Sequence, residues 1–200
     1  MATMNLDDLK KVNKLWRKVY PYLAAQIMEA YHRDSGSVLE LGPFSGGISL
    51  ELARQYPSLD INITDERADF VDYLAKQIKS SGLSQAIKVK QTQFNHLAFT
   101  DCHFNLVIVR GAFFFLDENL LREIFRLLKD SGLAFVGGGY GKGIPQQLID
   151  EIHDESQVLN QRLGRRWVSI KELEDLVAKA GLANNCKIEE EGGVWLNIRK

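Results

Sequence analysis

Apolar residues recur along this chain in two rhythms. Leu6, Leu9, Val12, Leu15, Trp16 and Val19 stand three and four positions apart, on one face of a helix, and a second helical stretch follows Pro21. Val38 to Leu41 is instead a short run with the character of a buried strand. Ile48, Leu52 and Ala53 return to helical spacing, Ile61 to Ile63 reads as a strand, and Phe70, Val71, Leu74 and Ile78 mark a helix stopped by Gly82. The beat continues with strands at Ile87–Val89 and Leu106–Val109, a helix over Leu120–Leu128, and a fifth strand, Leu133–Val136, entered through the turn Asp130-Ser131-Gly132. Strands separated by helices require right-handed crossovers, so the pattern predicts an α/β fold with a parallel sheet covered on both faces.

The last third departs from this beat. A helix begins near Pro145, and another is announced by Ser169-Ile170-Lys171-Glu172, a capping box, with Ile170, Leu173, Leu176, Val177 and Ala180 on its buried face and Gly181 at its end. Two strands then follow with no helix between them, Asn185 to Glu190 and Val194 to Arg199, joined by Glu191-Gly192-Gly193. They must form a hairpin.

Composition narrows the function classes. At 200 residues with no repeat or linker, the chain reads as a single domain. Its 25 Lys and Arg against 26 Asp and Glu leave a formal charge of −1, which disfavours a nucleic-acid binder that relies on bulk charge. Cys102 and Cys186 are too few for a metal cage and read as reduced packing residues. Charges scattered through residues 1–18 leave no signal-peptide core, and no apolar run approaches the roughly 18 residues a bilayer span needs. A cytoplasmic protein without a membrane partner is expected. The four histidines fall into no metal-like pair, and no metal is predicted.

Ligands of open α/β sheets bind beyond the carboxyl ends of the strands, where the strand order reverses. The first strand-to-helix turn there reads Glu40-Leu41-Gly42-Pro43-Phe44-Ser45-Gly46-Gly47. Its glycines let backbone approach a ligand, and the amides opening the next helix favour an anionic group. Phe44 stands where a dinucleotide turn needs glycine, and no Gly-Lys-Ser/Thr follows, so neither a dinucleotide fingerprint nor a phosphate-binding P-loop is met. Directly after the second strand comes Asp65, a carboxylate able to accept two hydrogen bonds from a ribose or simply to cap a helix.

From about Tyr20 onward the chain resembles the class I S-adenosylmethionine-dependent methyltransferases. The family's acid-x-Gly-x-Gly-x-Gly is matched by Glu40, Gly42 and Gly46, with Phe44 replacing the middle glycine, and its ribose-holding acid by Asp65. Thr92-Gln93-Phe94 stands at the Gly-Asp-Ala triplet, Phe104-Asn105-Leu106-Val107 at Phe-Asp-x-Val, and Arg126-Leu127-Leu128-Lys129-Asp130-Ser131-Gly132 at the turn before strand five. Around Arg110-Gly111 and Tyr20-Pro21 the chain is similar to small, single-domain microbial members.

The resemblance implies a Rossmann-like three-layer α-β-α sandwich, with a mostly parallel seven-stranded sheet ending in an antiparallel hairpin. It divides the domain, 1–200, into a helical cover over 1–35, a cofactor core over 36–140, and C-terminal helices with the closing hairpin over 141–200. It implies S-adenosyl-L-methionine as cofactor, with Gly42 and the Phe44 to Gly46 backbone against the methionine portion and Glu40 orienting its ammonium. Asp65 takes the ribose hydroxyls, and Thr92, Gln93 and Phe94 border the adenine. Arg110 and Gly111 reach the amino-acid end. Tyr20 either closes over the cofactor or packs beside Pro21.

The acceptor is less legible. Methyl transfer needs alignment and a dry pocket more than acid or base groups, and the catalytic residues stay unassigned. Phe113, Phe114, Phe115 and Tyr140 read as an acceptor pocket or as core, and Arg165-Arg166-Trp167 as a solvated basic turn or a contact for an acidic acceptor. A small-molecule acceptor is favoured; the alternatives are a protein or RNA acceptor, or a cofactor-binding accessory protein without transfer activity. The oligomeric state stays open.

Overall fold

The structure is a computed structural model that describes residues 4–200. Seven strands form one sheet in the order β3-β2-β1-β4-β5-β7-β6. They are β1 (Ser35–Leu41), β2 (Ser58–Asp65), β3 (Ile87–Gln91), β4 (Phe104–Arg110), β5 (Leu128–Gly138), β6 (Cys186–Glu189) and β7 (Val194–Arg199). The chain starts at the centre, steps outward through β2 to β3, then returns to lay β4 against the other side of β1. That reversal between β1 and β4 is the switch point. The pairs from β3 to β5 are parallel, and β7 enters antiparallel between β5 and β6.

Seven α-helices flank the sheet: α1 (Leu6–Leu15), α2 (Tyr20–Tyr31), α3 (Gly47–Gln55), α4 (Ala68–Ser80), α5 (Glu118–Leu127), α6 (Gln146–Arg162) and α7 (Ile170–Lys179). Alternation along each strand divides the core in two. Val38, Ile61, Ile63, Leu106, Ile108 and Phe135 face one side with α1 to α4 and α6. Leu39, Leu41, Val107, Val109, Val136 and Ile198 face the other with α5 and α7. Glu40 and Arg110 share the parity of Val38 and Ile108, so both side chains leave the sheet on the α1 to α4 side.

The sequence rhythms correspond to these elements with three differences. The first helical face is interrupted: α1 ends at Leu15 and a 3-10 turn, Trp16–Lys18, leads into α2. The turn expected before strand five lies inside it. Leu128 already pairs with Phe104, the ladder resumes at Leu133 opposite Leu106, and residues 129–132 bulge between, with Ser131 at φ 62. Cys102 is exposed in a tight turn at φ 52 rather than packed, whereas Cys186 is half-buried. The Ser169 capping box is present, with its hydroxyl and the Glu172 carboxylate bonding each other's backbone amides. The expected N-terminal cover is α1 to α2; its residues 1–3 lie outside the described residues.

Candidate functional site

The turn from β1 to α3 is held from beneath. Glu40 is fully buried and its Oε2 accepts the amides of Gly46 and Ser49, each at 3.0 Å. The carboxylate thus caps α3 from the preceding strand, and Gly42 and Gly46, both at φ 103, let the chain fold around it. Burial pushes the Glu40 carboxyl above its ordinary range, opposed by these donors. Its Oε1 and the hydroxyls of Ser45 and Ser49 are buried without partners.

Aromatic rings fill the spaces that glycines leave. The Phe115 ring lies on Gly42, 2.7 Å from where a Cβ would stand. Phe44 is buried, packs on Phe114 at 4.6 Å between centroids, and its ring would meet a Cβ at Gly111 at 2.4 Å. The room that the Phe44 ring fills is provided by Gly111 across the switch point, where φ is +66. The Tyr20 ring lies on Gly47 in the same manner, 2.1 Å from its would-be Cβ.

Arg110 ties these pieces together. Its guanidinium is buried; Nε donates to the Phe44 carbonyl at 3.2 Å, and Nη2 donates to Asn13 Oδ1 at 2.8 Å and the Tyr20 hydroxyl at 3.1 Å. Rings of Trp16, Tyr20 and Phe44 surround it, 4.7 to 5.4 Å from the central carbon. No carboxylate among the described residues pairs with it. Burial raises the Tyr20 phenol to about 12, so it stays protonated and donates to Asn13 Oδ1.

At the end of β2, Asp65 is 2% exposed. Its Oδ1 accepts the Arg67 amide at 2.8 Å, and Oδ2 accepts nothing among the described residues. Burial pushes its carboxyl up to about 6. Beyond β3, Gln93 is exposed with no side-chain hydrogen bond among the described residues. Thr92 and Phe94 turn inward: the Thr92 hydroxyl meets that of Thr64 at 2.5 Å, and the Phe94 ring packs on Phe115.

Asp65, Gly42, Phe44, Gly46, Arg110 and Gly111 therefore converge on the carboxyl ends of β1, β2 and β4, with Gln93 at the flank and Tyr20 contributed by the N-terminal cover. Sequence reasoning missed three participants. Asn13 and Trp16 lie on the apolar face of the first helical stretch, where a polar Asn13 among apolar neighbours was the available signal. Glu66 accepts the Phe94 amide at 2.8 Å and so fixes the segment beyond β3. That segment is also clamped by Glu123 and Arg126 of α5, through the Leu97 amide and the carbonyls of Leu97 and Phe99.

The aromatic run at the end of β4 divides its work. Phe115 goes to the core, whereas Phe113 and Phe114 line a cavity of about 80 Å³ with Trp16, Phe44, Arg110, Gly111, Gly138, Gly139, Tyr140, Asn160 and Arg165. No helix among the described residues is long and apolar enough to cross a membrane.

Residues 38–132 match the family model described as a methyltransferase domain. A demethylmenaquinone methyltransferase of Lactobacillus johnsonii is 30% identical over 97 residues, 47% of this chain. The chain spans 40% of the length of that curated relative. A structure described as an S-adenosyl-L-methionine-dependent methyltransferase from Methanococcus maripaludis superposes with a TM-score of 0.84 at 22% identity, covering 100% of this chain and 95% of that one. The structure of PigF with SAH has a TM-score of 0.70 at 17% identity, over 98% of this chain and 60% of that one. These structural likenesses establish the fold.

Proposed function

We propose that this chain, whose residues 38–132 match a methyltransferase domain, is a class I S-adenosylmethionine-dependent methyltransferase and carries out the activity its site supports best: methyl transfer from S-adenosyl-L-methionine to a small-molecule acceptor. The observation that carries it is Asp65, a largely buried carboxylate with Oδ1 held by the Arg67 amide and Oδ2 open and free of protein donors among the described residues, beside a glycine turn at the switch point. A vicinal diol supplies the donors such a group lacks.

The donor and acceptor set fits the cofactor. Asp65 would hold the two ribose hydroxyls. The amide of Gln93 would accept from the adenine amine, a task an amide oxygen performs as a carboxylate does. The Thr92 and Phe94 backbone would border the same ring. Gly42, the Phe44 to Gly46 backbone and Gly111 would line the amino-acid portion. Glu40 would act there by shaping the turn, since its Oε2 already serves two amides. Arg110 and Tyr20 would hold the N-terminal cover against that turn. When bound, the cofactor supplies an electrophilic methyl carbon on a sulfonium, and the chain's contribution is alignment and exclusion of water.

All described elements attach to one sheet or its flanking helices, which supports reading 1–200 as one methyltransferase domain. Cytoplasmic action is part of the proposal, in keeping with two cysteines that form no disulfide. S-adenosylhomocysteine titrated calorimetrically should saturate the site; absence of heat up to high micromolar concentration overturns the proposal. Labelled cofactor incubated with a cell extract, with and without nuclease and protease, identifies the acceptor class. Label is expected in small molecules; label in polymer points to a macromolecular acceptor, and none to an accessory protein.

A further inference from the structure

We propose that the cavity at the ends of β4 and β5 receives a carboxylate carried by a planar, conjugated acceptor. This rests on the methyltransferase reading and adds the acceptor's chemistry to it. The cavity lies beside Gly111, one residue beyond β4, so its occupant is next to the glycine-lined switch point.

Charge identifies the occupant. Two guanidiniums, Arg110 and Arg165, line the cavity and no carboxylate does. Arg110 is 4% exposed, and its Nε and Nη2 are engaged while Nη1 meets no acceptor among the described residues. Arg165 sits over the Trp167 ring at 5.1 Å and forms no ion pair among the described residues. Arg110 feels the field of buried Glu40 but touches no carboxylate among the described residues, and a bound anion supplies that direct contact. The planar fork of arginine suits a carboxylate. An ammonium-bearing acceptor would be repelled by both guanidiniums.

Shape gives the rest. Trp16 and Tyr140 stack at 5.0 Å with 6° between their planes, and Phe44 and Phe114 add further ring surface. At about 80 Å³ the cavity is far below the roughly 300 Å³ of a pocket that swallows a whole drug-sized ligand. It seats one end of the acceptor, with the remainder reaching toward the mouth.

The test uses the full chain with and without saturating S-adenosylhomocysteine, titrated calorimetrically with benzoate, benzamide, benzylammonium and inorganic phosphate. Benzoate should bind at least about tenfold more tightly than benzamide, as expected for a charge-assisted contact. Benzylammonium should not bind. Arg165→Ala, at an exposed position, should weaken benzoate about three- to tenfold and leave S-adenosylhomocysteine binding unchanged. Equal binding of benzamide, preference for phosphate, or indifference to Arg165→Ala overturns the proposal. Competition between benzoate and S-adenosylhomocysteine also overturns it, because the anion site would then be the cofactor's amino-acid end. Failure of S-adenosylhomocysteine to bind overturns the methyltransferase reading alone, since benzoate binding to the free protein, weakened by Arg165→Ala, would still mark the cavity.

Discussion

Phe44 and Gly111 occupy one shared volume, so neither can change without the other. Phe44→Ala removes a buried ring and is expected to cost about 3–5 kcal/mol in urea denaturation. Gly111→Ala meets the same ring and also holds an L residue at φ +66, a cost of about 1–3 kcal/mol. In the double variant the clash disappears, so the combined loss should fall short of the sum by at least about 0.5 kcal/mol. Strict additivity would show that the two do not share this space. Asp65 works against stability instead. Its folded pKa of about 6 lies above the ordinary 3.8, so burial of the charged form destabilises the protein above pH 6, and the penalty vanishes below about pH 4. Asp65→Asn should therefore be more stable than the parent at pH 8, by up to about 3 kcal/mol, with the difference closing as pH falls. The complementary Asp65→Ala should weaken S-adenosylhomocysteine binding by about 1.5–3 kcal/mol in calorimetry. Glu40, Gly42, Gly46 and Asp65 were legible because each lies at a fixed offset from a strand end. The partnership of Phe44 with Gly111, and of Arg110 with Asn13, was not, because sheet order brings together residues far apart in the chain.

Among the elements, α7 was the most legible, since a capping box and a terminal glycine are local signals that tertiary contacts seldom overrule. Ser169→Ala should cost about 1 kcal/mol, read as a fall of about 2–4 °C in Tm for a domain of this size. An unchanged Tm would mean that the two hydrogen bonds of the box contribute nothing net. The opposite case is β5, where Asp130-Ser131-Gly132 carries every local mark of a turn. The turn forms, but neighbouring β4 accepts Leu128 on one side and Leu133 on the other, so the strand absorbs it as a bulge. Pairing of that kind depends on the partner strand and leaves no trace in local composition. The end of the first helix at Leu15 was hidden similarly, because a 3-10 turn preserves enough of the three-and-four spacing to pass for continuous helix.

For the molecule as a whole, alternation and crossover handedness sufficed to predict the layers and the closing hairpin. Protection should follow depth in the sheet: amides of β1 and β4 are expected to exchange slowest, and those of edge strands β3 and β6 fastest. Faster exchange in β4 than in β6 would contradict this order. The cavity proposed for the acceptor was legible only in part: Phe113, Phe114, Tyr140 and Arg165 stood out in the sequence, but their meeting did not, because the cavity is assembled from the 3-10 turn, the ends of β4 and β5, and α6 with the turn after it. The position of β7 between β5 and β6 has its own bearing on how the chain is made. During synthesis β6 emerges first, yet its place in the sheet does not exist until β7 has followed and paired with β5. For that interval β6 can rest on the open edge of β5 only by forming a parallel ladder in the slot reserved for β7, an arrangement the finished protein must have displaced or never entered.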